Sequence, residues 1–366
     1  MKPLKNIGMR VALVAIFAAG LQVMTEREGG AVIFEDQASC EAFNVPVSLP
    51  GVAENATIYG ELCRPQGAAP DTVQLLVHST WYNHREWDPP QKKYSHVRAA
   101  NNAGFATFNI DRLGTGRSSH PPSHLVTPEL VVDALHQVIL ALRAGELGGH
   151  AFSKVVWIGS SFGSEYGWIN AFKYPGDIDA FVLNGLLHFT KATFADFAIG
   201  TASLSVCQDP VFKFIEEDCG YITNKLGMKG PLYYYEPEAA PGMLEGIDDI
   251  FLRDMVSANL LAGSLPYVGI VGPQLPTVPF VVDPETSPSR AIQVPTLIVL
   301  GDRDQIVCGP PDGLECTRDN IFALEAPYFG VTPDVYIAPN TGHAVTLHKS
   351  GPQTYKVIND WIAANL

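Results

Sequence analysis

The chain reads as an α/β protein: a mostly parallel central sheet flanked by helices, interrupted by one long insertion. Three observations predict this. Short, nearly continuous apolar runs such as Thr72-Val73-Gln74-Leu75-Leu76-Val77 alternate with stretches whose apolar residues recur at helical spacing. Runs of that kind suit strands buried on both faces, which is the condition inside a parallel sheet. The alternation stops after His188 and resumes at Val294-Pro295-Thr296-Leu297-Ile298-Val299-Leu300. Finally, Gly159-Ser160-Ser161-Phe162-Gly163 stands directly behind the run Val155–Ile158, the pattern of a strand that ends in a tight turn and enters a helix.

The elements follow in order. Val45–Leu49 and Thr57–Cys63 read as two short strands around a turn-rich link, and 72–77 as a central strand. A helix is expected around Lys92–Ala103, a strand at Phe105–Ile110, and a helix over Pro128–Ala144, where Leu130, Val131, Ala134, Leu135, Val138 and Leu142 share one face. Then come the strand Val155–Ile158, a helix from Phe162 to Phe172 and the strand Ala180–Leu183. Such alternation implies right-handed crossovers between parallel strands. From 189 to 290 the chain instead carries helical pieces, prolines and many aromatic residues, Tyr233-Tyr234-Tyr235 among them. This interval is expected to be a cap inserted into a core formed by 40–188 and 291–366, which closes with a strand at Val335–Ala338 and a helix at Thr354–Ala364.

At 366 residues, 46% apolar and 17% charged, the chain has the composition of a globular protein with room for one large domain plus an insertion. A formal charge of −14, with no Lys/Arg cluster to reverse it locally, argues against nucleic acid and anionic membrane surfaces as partners. Neither a dinucleotide glycine fingerprint nor a metal-ligand cluster is present, so no cofactor and no metal are implied. Lys2, Lys5 and Arg10 precede an apolar stretch from Val11 to Met24, the layout of a secretory signal over residues 1–24. That stretch is short of the about 20 residues that span a bilayer. Ala18-Ala19-Gly20 and the later Ala31 are two sites at which it would be cleaved; an uncleaved anchor is the other reading.

The cysteines agree with export to an oxidising compartment, extracellular or periplasmic. Six of them fall into sequence-local pairs, 40 with 63, 207 with 219 and 308 with 316, although six cysteines allow 15 connectivities and buried free thiols are the alternative. Asn55-Ala56-Thr57 is a glycosylation sequon in a eukaryotic host.

Ser161 is therefore a candidate nucleophile, because a serine hydroxyl reacts only when it projects clear of the chain beside a base and beside free N–H groups. Three more segments follow predicted strands: His78-Ser79-Thr80-Trp81, Gly301-Asp302-Arg303-Asp304 and Thr341-Gly342-His343-Ala344. Ligands in open α/β sheets bind outside the carboxyl ends of strands, so the four segments are expected to converge. Taken with Asp111-Arg112-Leu113-Gly114-Thr115-Gly116-Arg117-Ser118, they resemble the α/β-hydrolase superfamily, in particular its capped serine hydrolases of esterase or lactonase type. The likeness covers most of 45–366 outside the cap.

The resemblance implies a triad in the order Ser161, Asp304, His343, with the backbone N–H groups of Thr80 and Phe162 as an oxyanion hole. Asp302 competes for the acid role, but the family's Gly-x-x-Asp spacing favours Asp304. His348 is a second candidate for the base. His78, His84, His96 and His188 read first as hydrogen-bonded structural histidines, and the tyrosine run as packing or as a substrate wall. The chain departs from the family at Ser79, usually glycine after that histidine, and at Ser160, usually histidine before the nucleophile. Trp81, Tyr82 and Ser160 are the candidate substrate contacts. The implied activity is hydrolysis of a carboxylic ester or lactone of a mainly apolar small molecule. Acyl transfer, elimination, cyclisation, peptide cleavage and a binding protein without catalysis stand as alternatives.

Overall fold

In the computed structural model the described residues are 38–191, 200–249, 252–264, 267, 269–271, 283–308 and 314–366. The expected export signal, with Phe194 and Phe197 of the insertion, lies outside them. The strands are β1 (Ala38–Pro46), β2 (Thr57–Pro65), β3 (Thr72–Val77), β4 (Ala106–Ile110), β5 (Lys154–Ser160) and β6 (Ala180–Asn184). The short strands β7 (Phe189–Lys191), β8 (Ser203–Ser205), β9 (Tyr221–Asn224), β10 (Met255–Ser257) and β11 (Gly269–Val271) follow, then β12 (Thr296–Gly301) and β13 (Asp334–Ala338). The main sheet has eight strands in the order β1-β2-β4-β3-β5-β6-β12-β13. From β4 to β13 every neighbour is parallel, while β2 runs antiparallel to both β1 and β4.

This is the α/β-hydrolase fold. The apolar runs are where burial demands them: Val155, Val156, Trp157 and Ile158 of β5 are all fully buried between helices on the two faces. Those helices are α1 (His96–Asn102), α2 (Pro128–Ala144), α3 (Phe162–Lys173) and, after the insertion, Arg318–Glu325 and Gly351–Asn365. Helix α2 shows the local code at both ends. Thr127 Oγ1 accepts from Leu130 N, Pro128 occupies the first turn, and Gly145 ends the helix at φ 75°.

Two boundaries differ from expectation. Of the strand expected at 45–49 only Val45 and Pro46 are extended into a sheet, as the end of the longer β1, which pairs with β2 over its whole length and is joined to it by Cys40–Cys63, while residues 47–49 lie outside any strand. The helix expected at 92–103 begins as a 3-10 turn, Lys92–Tyr94, because Ser95 caps a separate α1 with its side chain accepting from Arg98 N.

The chain leaves β3 for β4 on one side and returns through β5 on the other, so the strand order reverses beside β3. A crevice at such a reversal is where open sheets place their sites. Between β6 and β12 the described residues carry short strands and short helices, among them α4 (Lys229–Tyr233), and the small sheet β10-β9-β8. Three disulfides pair as the spacing suggested, Cys40–Cys63, Cys207–Cys219 and Cys308–Cys316, which suggests an extracellular protein. Among the described residues no helix is long and apolar enough to cross a membrane.

Candidate active site

Ser161 sits between β5 and α3 at φ 50°, ψ −119°, a backbone conformation that L-residues avoid. Its neighbours explain why the turn can be made. A Cβ on Gly159 would stand 2.4 Å from the backbone of Ser164, and one on Gly163 would stand 2.2 Å from Val77 O. Only glycine fits at either place, so the strand can turn sharply into the helix and press against the end of β3. Ser161 N donates to Asn184 O at 2.7 Å, fastening the turn to the end of β6. Phe162 is the first residue of α3, and its N–H therefore has no intrahelical acceptor.

The last loop of the sheet brings His343 to the same place. Its Nδ1 lies 2.9 Å from Asp304 Oδ2, while Asp304 Oδ1 accepts from Ile306 N at 2.9 Å. Both side chains are buried. Asp302 is used otherwise: its Oδ1 accepts from Thr341 N at 3.1 Å. Gly301 lets the loops meet, since a Cβ there would fall 2.0 Å from Thr341 O. On its other edge the imidazole fits against Gly185, where a Cβ would stand 3.1 Å from Cε1. Residues 184 and 185 thus touch the serine turn and the imidazole in succession. The Nε2 of His343 is buried and has no hydrogen-bond partner.

The model for the alpha/beta hydrolase family matches residues 74–353, more than half of the chain. The chain belongs to the alpha/beta hydrolase family. No curated protein sequence matches it. Among solved structures, a thermophilic esterase from Thermogutta terrifontis is similar at 17% identity and a TM-score of 0.59, covering 88% of this chain and 98% of its own. Carboxylesterase CesB from Bacillus subtilis is similar at 14% identity and a TM-score of 0.57, covering 90% and 93%. A monoacylglycerol lipase from Paleococcus ferrophilus is similar at 16% and 0.53, covering 90% and 99%. At these identities the likeness is one of fold.

This alpha/beta hydrolase uses its other histidines differently. His78 is fully buried; its Nε2 accepts from Arg112 N at 3.1 Å, so its Nδ1–H faces Ser79 O at 2.9 Å. Burial holds its pKa well below the usual histidine range. Both N and Nδ1 of His84 lie within 2.8 Å of Asp111 Oδ1. His96 Nε2 meets Gln74 Oε1 at 2.7 Å. His348 Nε2 accepts from Tyr235 N at 3.0 Å and Gly342 N at 3.1 Å, which ties the tyrosine run to the loop of His343. His188 lies between Trp168 and Tyr328, with Nδ1 2.7 Å from Glu325 Oε2 and Nε2 2.7 Å from Ser289 Oγ.

The remaining predicted residues are all buried. Thr80, Trp81 and Tyr82 form the loop after β3, and Trp81 adopts φ 61°. Trp81 O accepts from Asp254 N at 2.9 Å and from Lys229 Nζ at 3.0 Å. Lys229, on α4, also donates to Leu252 O and places Nζ 3.2 Å from the centroid of the Tyr82 ring. Burial pushes its ammonium well below the ordinary lysine range, against the pull of Glu86 and Asp254. The ring of Tyr233, at the far end of α4, lies 5.5 Å from that of His343, and Tyr233 O accepts from Ala344 N at 2.8 Å. Ser160 does not stand free, because its Oγ donates to Glu86 Oε1 at 2.7 Å.

Glu86, Lys229 and Asp254 carried no motif and were not anticipated. The trace of Glu86 in the sequence is indirect: the serines at 79 and 160, which its carboxyl holds. Among the described residues no three His, Cys, Asp or Glu side chains gather as metal ligands.

Proposed function

We propose that the chain is a serine hydrolase that cleaves a carboxylic ester or lactone of a mainly apolar small molecule. The observation that carries this reading is His343: Nδ1 engaged by buried Asp304, Nε2 unpartnered, and the ring against Gly185, the residue after the Asn184 whose carbonyl holds the strained Ser161 turn. A buried nitrogen without a partner is costly, and sites reserved for a reacting group are where such atoms are kept.

In this mechanism Nε2 takes the proton of Ser161 as Oγ attacks the carbonyl carbon, and Asp304 stabilises the imidazolium that forms. The N–H of Phe162, reinforced by the N-terminus of α3, and the N–H of Thr80 receive the developing oxyanion. Collapse of the tetrahedral adduct expels the alcohol, which takes the proton from Nε2. Water then repeats the sequence on the acyl-enzyme.

Residues 189–290 act as the cap, and residues 1–24 direct export. The first is supported by the contacts of α4 with both the Trp81 loop and the His343 loop, the second by the three disulfides. The aromatic Phe189 and Tyr267 of the cap favour an apolar acyl or ring system of modest size.

A panel of p-nitrophenyl esters of graded chain length beside a panel of lactones tests the reading, together with a fluorophosphonate probe. Turnover, with labelling of wild type and none of Ser161→Ala, is the expected result. A folded wild type that neither turns over nor labels sinks it. Hydrolysis in labelled water that leaves no label in the acid would instead point to transfer or elimination.

A further inference from the structure

Glu86 is fully buried, and both of its carboxyl oxygens are taken. Oε2 accepts from Ser79 N at 2.6 Å, and Oε1 accepts from Ser160 Oγ at 2.7 Å. Those two residues each stand one position before a residue of the proposed machinery: Ser79 before Thr80, Ser160 before Ser161.

The loop after β3 is pinned from the opposite side as well. Ser79 O lies 2.9 Å from His78 Nδ1 and accepts from Arg112 Nη2 at 3.1 Å. A trans peptide is a rigid plane with N–H opposite C=O, so holding the carbonyl of Ser79 fixes where the N–H of Thr80 points. Glu86 fixes the preceding plane through Ser79 N. The same carboxyl holds Ser160, whose neighbour carries the turn into Phe162. Around it stand Tyr82, Tyr233 and Tyr234, each made less acidic first by its own burial and further by this carboxyl group.

We propose that Glu86 is a positioning residue that sets the spacing between the two oxyanion donors, Thr80 N–H and Phe162 N–H, by bridging Ser79 N and Ser160 Oγ. The proposal rests on the serine-hydrolase reading. Its action is geometric: the carboxyl touches neither substrate nor reacting atoms.

The experiment is steady-state kinetics on a p-nitrophenyl ester that wild type turns over, with melting temperature measured on every variant. In Glu86→Ala kcat is expected to fall about 10- to 100-fold, the penalty of a small misplacement. KM should stay within about twofold, because substrate binding does not use this bridge. Glu86→Gln keeps an acceptor for Ser79 N and a polar group for Ser160, and should recover to within about fivefold of wild type. Ser160→Ala removes one arm of the bridge by losing a single hydroxyl, and should lower kcat about threefold to tenfold. Combining it with Glu86→Ala should add nothing further, since both changes break one interaction.

A folded Glu86→Ala with wild-type kcat overturns the proposal, as does a Glu86→Gln no better than alanine. If Glu86→Ala does not fold, Ser160→Ala decides: wild-type kcat in that variant overturns it and a selective fall in kcat supports it. Each of these outcomes leaves the hydrolase reading standing. An inert wild type, unlabelled by fluorophosphonate, removes that reading and this proposal together.

Discussion

His343 and His188 each set Nδ1 against a buried carboxylate, 2.9 Å from Asp304 and 2.7 Å from Glu325, yet their Nε2 atoms end differently. That of His188 meets Ser289 Oγ, whose hydroxyl also donates to Tyr328 O at 2.8 Å and contacts Ser287 Oγ at 2.7 Å. The polar side-chain atoms of His188, Glu325 and Ser289 all have partners, and two aromatic faces close over the ring. By distances alone the Ser289–His188–Glu325 array is the better triad. It is sealed and satisfied, so it works as a clasp between the end of β6, the helix Arg318–Glu325 and the segment before β12. His343 keeps one nitrogen unmatched, and of the two serines only Ser161 is held at positive φ, the strain that sets the proposed site apart from the clasp.

The comparison is broken most directly at Ser161 and His343. Ser161→Ala, or His343→Ala, is expected to lower kcat by about four orders of magnitude or more with the melting temperature nearly unchanged. Ester turnover beside a thermal melt reads both effects. Next, Asp304→Asn should cost kcat about 10³- to 10⁴-fold, because the amide favours the wrong tautomer. The matching Glu325→Gln should leave kcat within about twofold and lower stability in urea instead. Ser289→Ala should cost about 2 kcal/mol of stability, the usual penalty for a buried group left unpaired, with turnover preserved. Loss of turnover in Ser289→Ala with no loss of stability would reverse the assignment of the two arrays.

The smallest effect concerns His348, which burial lowers from 6.5 to about 4. Its Nε2 accepts from two backbone N–H groups and must stay unprotonated to do so. The unfolded chain therefore takes up this proton at higher pH than the folded one. The stabilisation is whole above pH 6.5 and drains away as pH falls toward 4. Between pH 6.5 and 5.5 wild type should lose about 1 kcal/mol relative to His348→Gln. Urea unfolding of both proteins at the two pH values measures the difference, and parallel losses would exclude the titration.

Much of the frame was legible because its signals are local. The strands β3, β5 and β12 each carry a largely apolar run, and the glycines at 159 and 163 mark a turn that nothing larger could make. The order of Ser161, Asp304 and His343 could be read because each follows a strand. The short strands β8, β9 and β10 could not, since three or four residues carry no periodicity and pair only across distant chain. Glu86 stayed hidden for a related reason. It lies in a 3-10 turn with no pattern of its own, and its partners stand seven and 74 residues away. The positive φ of Trp81 was equally silent, and the donors to its carbonyl, Asp254 N and Lys229 Nζ, come from distant chain.

The ribbon from Tyr233 to Ala240 runs alongside the chain from Gly342 to Lys349. Ala344 N reaches Tyr233 O, Ala240 N reaches Leu347 O, and Lys349 N reaches Glu238 O, all within 3.0 Å. Gly342 is pressed so closely that a Cβ would stand 2.5 Å from Tyr235 N. Anyone wishing to build chimeras by exchanging residues of the 189–290 insertion for those of another chain inherits this seam. A donor segment without its own matching ribbon would leave the loop of His343 unsupported. Swaps should therefore be cut downstream of Ala240, or carry both edges of the seam across together.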